Sequence, residues 1–314
     1  MPNPTRDTQS GRVYNDLRNL ARRDGRSTDE IMVEYVLERF LYRLAQSPLG
    51  GRHFILKGGL LLARFGARRM TRDIDILGCG FLGEEAEIVR RITAIAAAEV
   101  DDGVTFDPAT LKAVPIREED EYHGLRLVMA ATIARARLKL QLDVSFGDPV
   151  TPEPQVVDYP QHLAAESFQL FGYPLATVIA EKLTTAVSLG DLNTRDRDYA
   201  DLYRLLTLND LDGDELTAAV VATAEHRGIP LQRLSTSITD LGVRRQSSYT
   251  AWRRRQGPAA VGYPEEFDEV VQHVTAFADP VLSADGVEKL RWSASAGTWS
   301  QGPDPSPPPS APRS

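Results

Sequence analysis

The chain has 314 residues, of which 42% are hydrophobic and 25% charged, and its formal net charge is −8. This size and balance belong to a globular protein with room for two ordinary domains or one large one, not to one coated in basic surface for general nucleic-acid binding. A single cysteine, Cys79, excludes a disulfide framework and a multi-cysteine zinc site, and the five histidines are scattered without metal-ligand spacing.

From the N-terminus, "MPNPTRDTQSGR" is polar and lacks the apolar core of a signal peptide. No later run approaches the roughly 20 apolar residues that span a bilayer. A cytoplasmic protein without a membrane partner is the expectation. Residues 12–25 and 28–47 read as helices. Ser27 or Thr28 can cap the second, Asp29 and Glu30 suit its first turn, and Met32, Tyr35, Val36, Phe40 and Leu44 form one apolar stripe. "SPLGG" breaks that helix. "HFILKGG" reads as a strand ending in glycines, "LLLARFG" as a helical stretch, "RDIDILG" as the next strand and residues 83–100 as a helix.

Side chains at i and i+2 of a strand share a face, so Thr71, Asp73 and Asp75 project together while Ile74 and Ile76 enter the core. Two adjacent carboxylates repel unless protonated or neutralised, and a hard divalent cation is the usual neutraliser. Upstream, Gly58 and Gly59 let backbone approach a phosphate where a side chain would block it. Arg64, Arg68, Arg69 and Arg72 crowd the same stretch.

Two further strands are expected at 124–134 and 136–146. In the second, Leu138, Leu140, Leu142, Val144 and Phe146 alternate with Lys139, Gln141, Asp143 and Ser145, which makes Asp143 a third candidate metal ligand. After a Pro-rich crossover near 149–160 the pattern reads as helical to about 293. In "PLATVIAEKLTTAVSLG", Leu175, Val178, Ile179, Leu183 and Ala186 form an apolar arc that contains Lys182 and leaves Glu181 outside. In "DYADLYRLL", Asp198 lies inside the arc of Tyr199, Leu202, Leu205 and Leu206, with Asp201 near its edge. A buried Lys182–Asp198 pair joining two helices and a cation aimed at phosphates both fit this pattern. Arg244, Arg245, Arg253, Arg254 and Arg255 form a second basic group, and the Pro- and Ser-rich end lacks periodicity.

The blocks "LKGGLLL…RMTRDIDIL", "LQLDVSF", "AEKLTTA" and "RDRDYADLYRL" occur in order across about residues 30–210. Together they resemble the AbiEii-type nucleotidyltransferase toxins, a family that includes the mycobacterial MenT proteins and belongs to the polymerase-β-like nucleotidyltransferase superfamily. The resemblance implies an α+β fold: a polymerase-β-like nucleotidyltransferase core with a mixed sheet, plus a helical C-terminal domain. On the chain this gives a helical lead at 1–48, the core at 49–160, a helical domain completing the active site at 161–294 and a disordered tail at 295–314.

By the same resemblance Gly58, Gly59, Thr71 and Lys182 form the nucleotide site, with the glycines against the triphosphate, and Asp73 and Asp75 bind Mg²⁺ or Mn²⁺. Asp143 is the third acidic residue, which helps activate the attacking hydroxyl. Lys182 and Asp198 match the essential lysine and aspartate, and Arg197 replaces a lysine common in relatives. Thr71 stands where some relatives carry a hydroxyl that is phosphorylated for inhibition. The implied function is a toxin of a toxin–antitoxin pair that moves NMP from an NTP to the 3′ end of tRNA and blocks translation. Its antitoxin would be encoded next to it, and Arg64, Arg68, Arg69, Arg253, Arg254 and Arg255 would grip the acceptor end. An antibiotic-type small-molecule nucleotidyltransferase and a catalytically silent regulatory module are the competing expectations.

Overall fold

The computed structural model describes residues 4–81, 83–117, 123–283 and 286–301. Two helices lead. α1 (Gln9–Arg23) is capped by the Thr8 hydroxyl, which accepts from the Gly11 N–H at 3.1 Å. α2 (Thr28–Gln46) has Ser27 at its cap position, yet the Ser27 side chain makes no capping hydrogen bond. The stripe Met32, Tyr35, Val36, Phe40 and Leu44 is buried. It is joined in the interior by Glu34, Glu38, Arg39 and Arg43, so α2 is a central helix rather than a surface one.

The chain then builds one seven-stranded mixed sheet. Its strands are β1 (Phe54–Lys57), β2 (Ile74–Gly78), β3 (Val104–Arg117), β4 (His123–Ile133), β5 (Ala136–Phe146), β6 (Gln155–Tyr159) and β7 (Phe168–Gly172), in the spatial order β3-β4-β5-β2-β1-β7-β6. β2 runs parallel to β5 and β1 parallel to β7, and the other pairs are antiparallel. A short helix α3 (Gly58–Leu61) leaves β1 directly, and α4 (Glu85–Ala96) follows β2. α2 packs on β5, where Leu140, Leu142 and Val144 are buried.

Three strands of this sheet lie outside the reading of the sequence. β3 contains Pro108 and Pro115, which a central strand excludes, and it occupies an edge of the sheet with a register shift between Asp107 and Lys112. β6 lies in the expected crossover, and β7 carries the same sheet beyond residue 160, where the helical domain was expected to begin.

The helical layer comprises α5 (Leu175–Leu189), α6 (Asp196–Leu208), α7 (Gly213–His226), α8 (Leu234–Ser237), α9 (Leu241–Arg255) and α10 (Phe267–Val281). A small second sheet joins β8 (Leu211–Asp212), β9 (Leu290–Ser293) and β10 (Thr298–Gln301) in the order β10-β9-β8. The expectation of disorder from 295 is therefore corrected for 298–301: Trp299 stacks on Phe277 with ring centroids 5.2 Å apart. Residues 302–314 lie outside the described part. Among the described residues no helix is long and apolar enough to cross a membrane.

Candidate active site

β1 ends at Lys57, and the chain turns sharply at Gly58, whose φ of 67° suits glycine alone. A Cβ at Gly58 would stand 1.9 Å from Asp75 Oδ2, and one at Gly59 would stand 3.0 Å from Thr71 Oγ1 and 3.2 Å from the Arg69 guanidinium. The glycines are thus needed because the carboxylate of the neighbouring strand lies directly over the turn. Thr71 is buried, and its hydroxyl donates to Asp73 Oδ1 at 2.9 Å.

Strand register extends this into a row. Lys57 is opposite Asp75, Asp75 is opposite Asp143, and Asp143 is opposite Arg126. Residues opposite one another share a face of the sheet. Two carboxylates therefore stand side by side on β2 and β5, with a cation on each outer flank. Burial, then the charges of Asp73 and Asp143, push the Asp75 carboxyl up to about 6, against an opposing pull from Lys57. Both oxygens of Asp143 are held by Arg126, at 2.8 and 2.6 Å.

A second cluster joins the helices to this face. Lys182 on α5 donates to Asp198 Oδ1 at 2.7 Å and Asp201 Oδ2 at 2.9 Å, both on α6. Arg69 grips the same Asp201 through two hydrogen bonds of 2.7 and 3.1 Å. Burial alone would lower the Lys182 ammonium, but Asp198 and Asp201 outweigh it and raise it, so the lysine is held charged. Burial would likewise raise the Asp198 carboxyl, but Lys182 reverses the sign. On the sheet side Lys57 donates to Asp148 Oδ2 at 2.7 Å and to Glu181 Oε1 at 3.5 Å, and Ser145 also donates to Asp148 Oδ2 at 2.8 Å.

The structure accordingly brings Gly58, Gly59, Thr71, Asp73, Asp75 and Asp143 together at one level of the sheet. Lys182 and Asp198 stand on helices tied to that level through Arg69. Two placements differ from expectation. Arg69 faces inward onto Asp201 with only 9% of its side chain exposed, which removes it from an RNA-facing surface. Asp143 is turned to Arg126, and among the described residues no three His, Cys, Asp or Glu side chains are grouped as a metal requires. Asp73 and Asp75 still fit a hard divalent cation: they are oxygen donors crowded by negative charge, and Mg²⁺ commonly takes only one or two carboxylates and completes its shell with phosphate and water.

Of the other arginines, Arg64, Arg254 and Arg255 are exposed, and Arg68 lies 3.2 Å from His162 Nε2. Arg253 donates to the Tyr263 carbonyl at 3.1 Å, and Tyr263 is near enough to Asp201 and Arg69 for both charges to act on its phenol. The basic end of α9 is therefore adjacent to the Lys182 cluster. Arg244 and Arg245 are paired instead with Asp191 and Asp196. Lys57, Arg126 and Asp201 were missed as site residues. Only Asp201 left a trace in the sequence, at the edge of the α6 apolar arc.

A sequence model of the family described as "Nucleotidyl transferase AbiEii toxin, Type IV TA system" matches residues 39–273. No curated protein matches the chain. Among solved structures, the MenT4 nucleotidyltransferase toxin Rv2826c from Mycobacterium tuberculosis H37Rv is similar at a TM-score of 0.50 and 15% identity, covering 84% of this chain and 99% of its own. A nucleotidyltransferase structure from H. pylori is similar at a TM-score of 0.46 and 16% identity over 80% of this chain and 94% of that one. JHP933 from Helicobacter pylori has a TM-score of 0.39 and 15% identity, over 79% and 80% respectively.

Proposed function

We propose, from the premise that this chain belongs to the AbiEii nucleotidyl transferase toxin family of type IV toxin–antitoxin systems, that it transfers NMP from an NTP to the 3′ end of tRNA in a divalent-metal-dependent reaction. Membership makes the chain a nucleotidyltransferase and implies an antitoxin partner. The metal, the acceptor, the residue roles and a cytoplasmic site of action are our reading. The observation that carries it is the Asp75 carboxylate, held over the Gly58 turn beside Asp73 with its charge uncompensated enough to be pushed up to about 6.

Asp73 and Asp75 hold the metal, Mg²⁺ or Mn²⁺, with Thr71 fixing the rotamer of Asp73. A divalent ion held there would supply Lewis-acid charge for the triphosphate and its leaving group. Gly58 and Gly59 leave room for the phosphates. Asp143, once free of Arg126, orients the attacking hydroxyl and accepts its proton. Lys182 contributes fixed positive charge in a partly dry site, and Asp198 and Asp201 hold its direction. Most of the acceleration then comes from alignment and charge compensation. Arg64, Arg68, Arg253, Arg254 and Arg255 supply phosphate contacts to the acceptor end, and a local basic rim of this kind is compatible with the overall charge of −8.

The test is incubation with each labelled NTP and either total tRNA or small hydroxylated acceptors, followed by sequencing of tRNA 3′ ends. Label on tRNA that disappears with Asp75→Asn supports the reading. Label only on small molecules replaces it with the antibiotic-type activity, and no Asp75-dependent label on any acceptor rejects it.

A further inference from the structure

Two kinds of ion pair stand at and beside the row Lys57–Asp75–Asp143–Arg126. Arg69–Asp201, alongside it, is enclosed, with side chains 9% and 1% exposed. Arg126–Asp143 is open: the arginine side chain is 46% exposed and the aspartate 17%. Exposed pairs contribute little net free energy and exchange readily, whereas enclosed ones are fixed by the cost of leaving a buried charge alone. The planar fork of Arg126, which now matches the two Asp143 oxygens, matches two phosphate oxygens equally well.

We propose that Arg126 is an exchangeable counter-ion and a nucleotide-binding residue. It occupies Asp143 until a triphosphate arrives with its metal, then transfers its fork to the phosphates and releases Asp143 to the metal and the acceptor hydroxyl. The inference rests on the nucleotidyl-transfer reading above and adds a residue that the sequence did not single out. No bond is made or broken in the exchange; two hydrogen bonds move from carboxylate to phosphate. The arrangement keeps the third carboxylate from completing a metal site in advance of substrate.

The full-length protein and its Arg126→Gln, Arg126→Lys and Asp75→Asn variants are titrated with Mn²⁺ alone, read by electron paramagnetic resonance. They are then titrated with α,β-methylene NTPs at saturating Mn²⁺. Removing the competing cation should tighten Mn²⁺ binding about fivefold in Arg126→Gln. The same variant should bind the nucleotide analogues about tenfold more weakly. Arg126→Lys, which keeps the charge without the fork, should fall between. Mn²⁺ affinity that is unchanged or lower in Arg126→Gln overturns the exchange, as does analogue affinity that is unchanged or higher. Mn²⁺ binding that is absent, or equal in wild type and Asp75→Asn, rejects the metal site itself and this inference with it. Binding that depends on Asp75 but ignores Arg126 rejects only the exchange.

Discussion

Asp75 shows how a carboxylate proposed to hold the metal can oppose stability. Its pKa in the fold, about 6, lies above the ordinary value of 3.8. Below about pH 4 the group is protonated in folded and unfolded chains alike and contributes nothing. Between 4 and 6 the folded state alone keeps the proton, so stability falls as pH rises, and above 6 the full cost of at most about 3 kcal/mol is present. Asp75→Asn should therefore be more stable than the wild type in urea at pH 7 without metal, with the difference closing by pH 4, and Mg²⁺ should recover part of it for the wild type only. Thr71 permits a second prediction. Thr71→Val removes a hydrogen bond to Asp73 and should reduce transfer several-fold, while Thr71→Glu places a charge like that of a phosphate beside Asp73 and should abolish it. A fully active Thr71→Glu in the tRNA assay would reject regulation through that hydroxyl. The two-residue repeat places Asp75 on β2, but Thr71 and Asp73 precede that strand and are joined to each other by the Thr71 hydroxyl. Lys57 and Arg126 were not legible: Arg126 meets Asp143 only through the register of β4 on β5, and the partners of Lys57, Asp148 and Glu181, lie 91 and 124 residues away.

α5 shows what a helix adds to a row of strand residues. Successive positions on a helix point about 100° apart, so Glu181 reaches Lys57 and the sheet while Lys182 reaches Asp198 and Asp201 on α6. The element thereby locks two layers together, and the apolar arc that correctly enclosed Lys182 also separated it from Glu181. Asp201, 1% exposed, neutralises both Lys182 and Arg69. Asp201→Asn leaves two buried cations short of a partner and should cost about 3–5 kcal/mol in a urea titration. Its transfer activity should fall with Lys182 misdirected. The illegible strands of the large sheet lie at or next to its ends: β3, on one edge, carries prolines that are tolerated only where the outer side has no ladder to complete. β6 and β7 are five residues each, too short for periodicity to outweigh the helical pattern that follows.

At the scale of the molecule, the second sheet braces α6. Trp292 is 1% exposed and its indole N–H donates to the Leu206 carbonyl at the end of α6 at 2.8 Å. Trp292→Ala should destabilise the chain by about 3–5 kcal/mol, read by thermal or urea unfolding. Because α6 carries Asp198 and Asp201, activity should be lost at a lower temperature than in the wild type. The mixed sheet and the helical layer were both expected from the sequence, but the strand contributed by residues 298–301 was hidden by a Pro- and Ser-rich composition that begins in earnest only afterwards.

The scatter of the site along the chain has a consequence for synthesis. Its parts lie on β1, β2, β4, β5, α5 and α6, between Phe54 and Leu208, and the pairing of β2 with β5 joins Asp75 to a residue made long after it. A nascent chain that has not yet released α6 from the ribosome holds the carboxylates without Lys182's partners, and a shorter one lacks the carboxylate row itself. Products that end before Leu208 should therefore be inert, and full activity should wait for the later strand that carries Trp292, well after the first half of the chain is free to meet a partner.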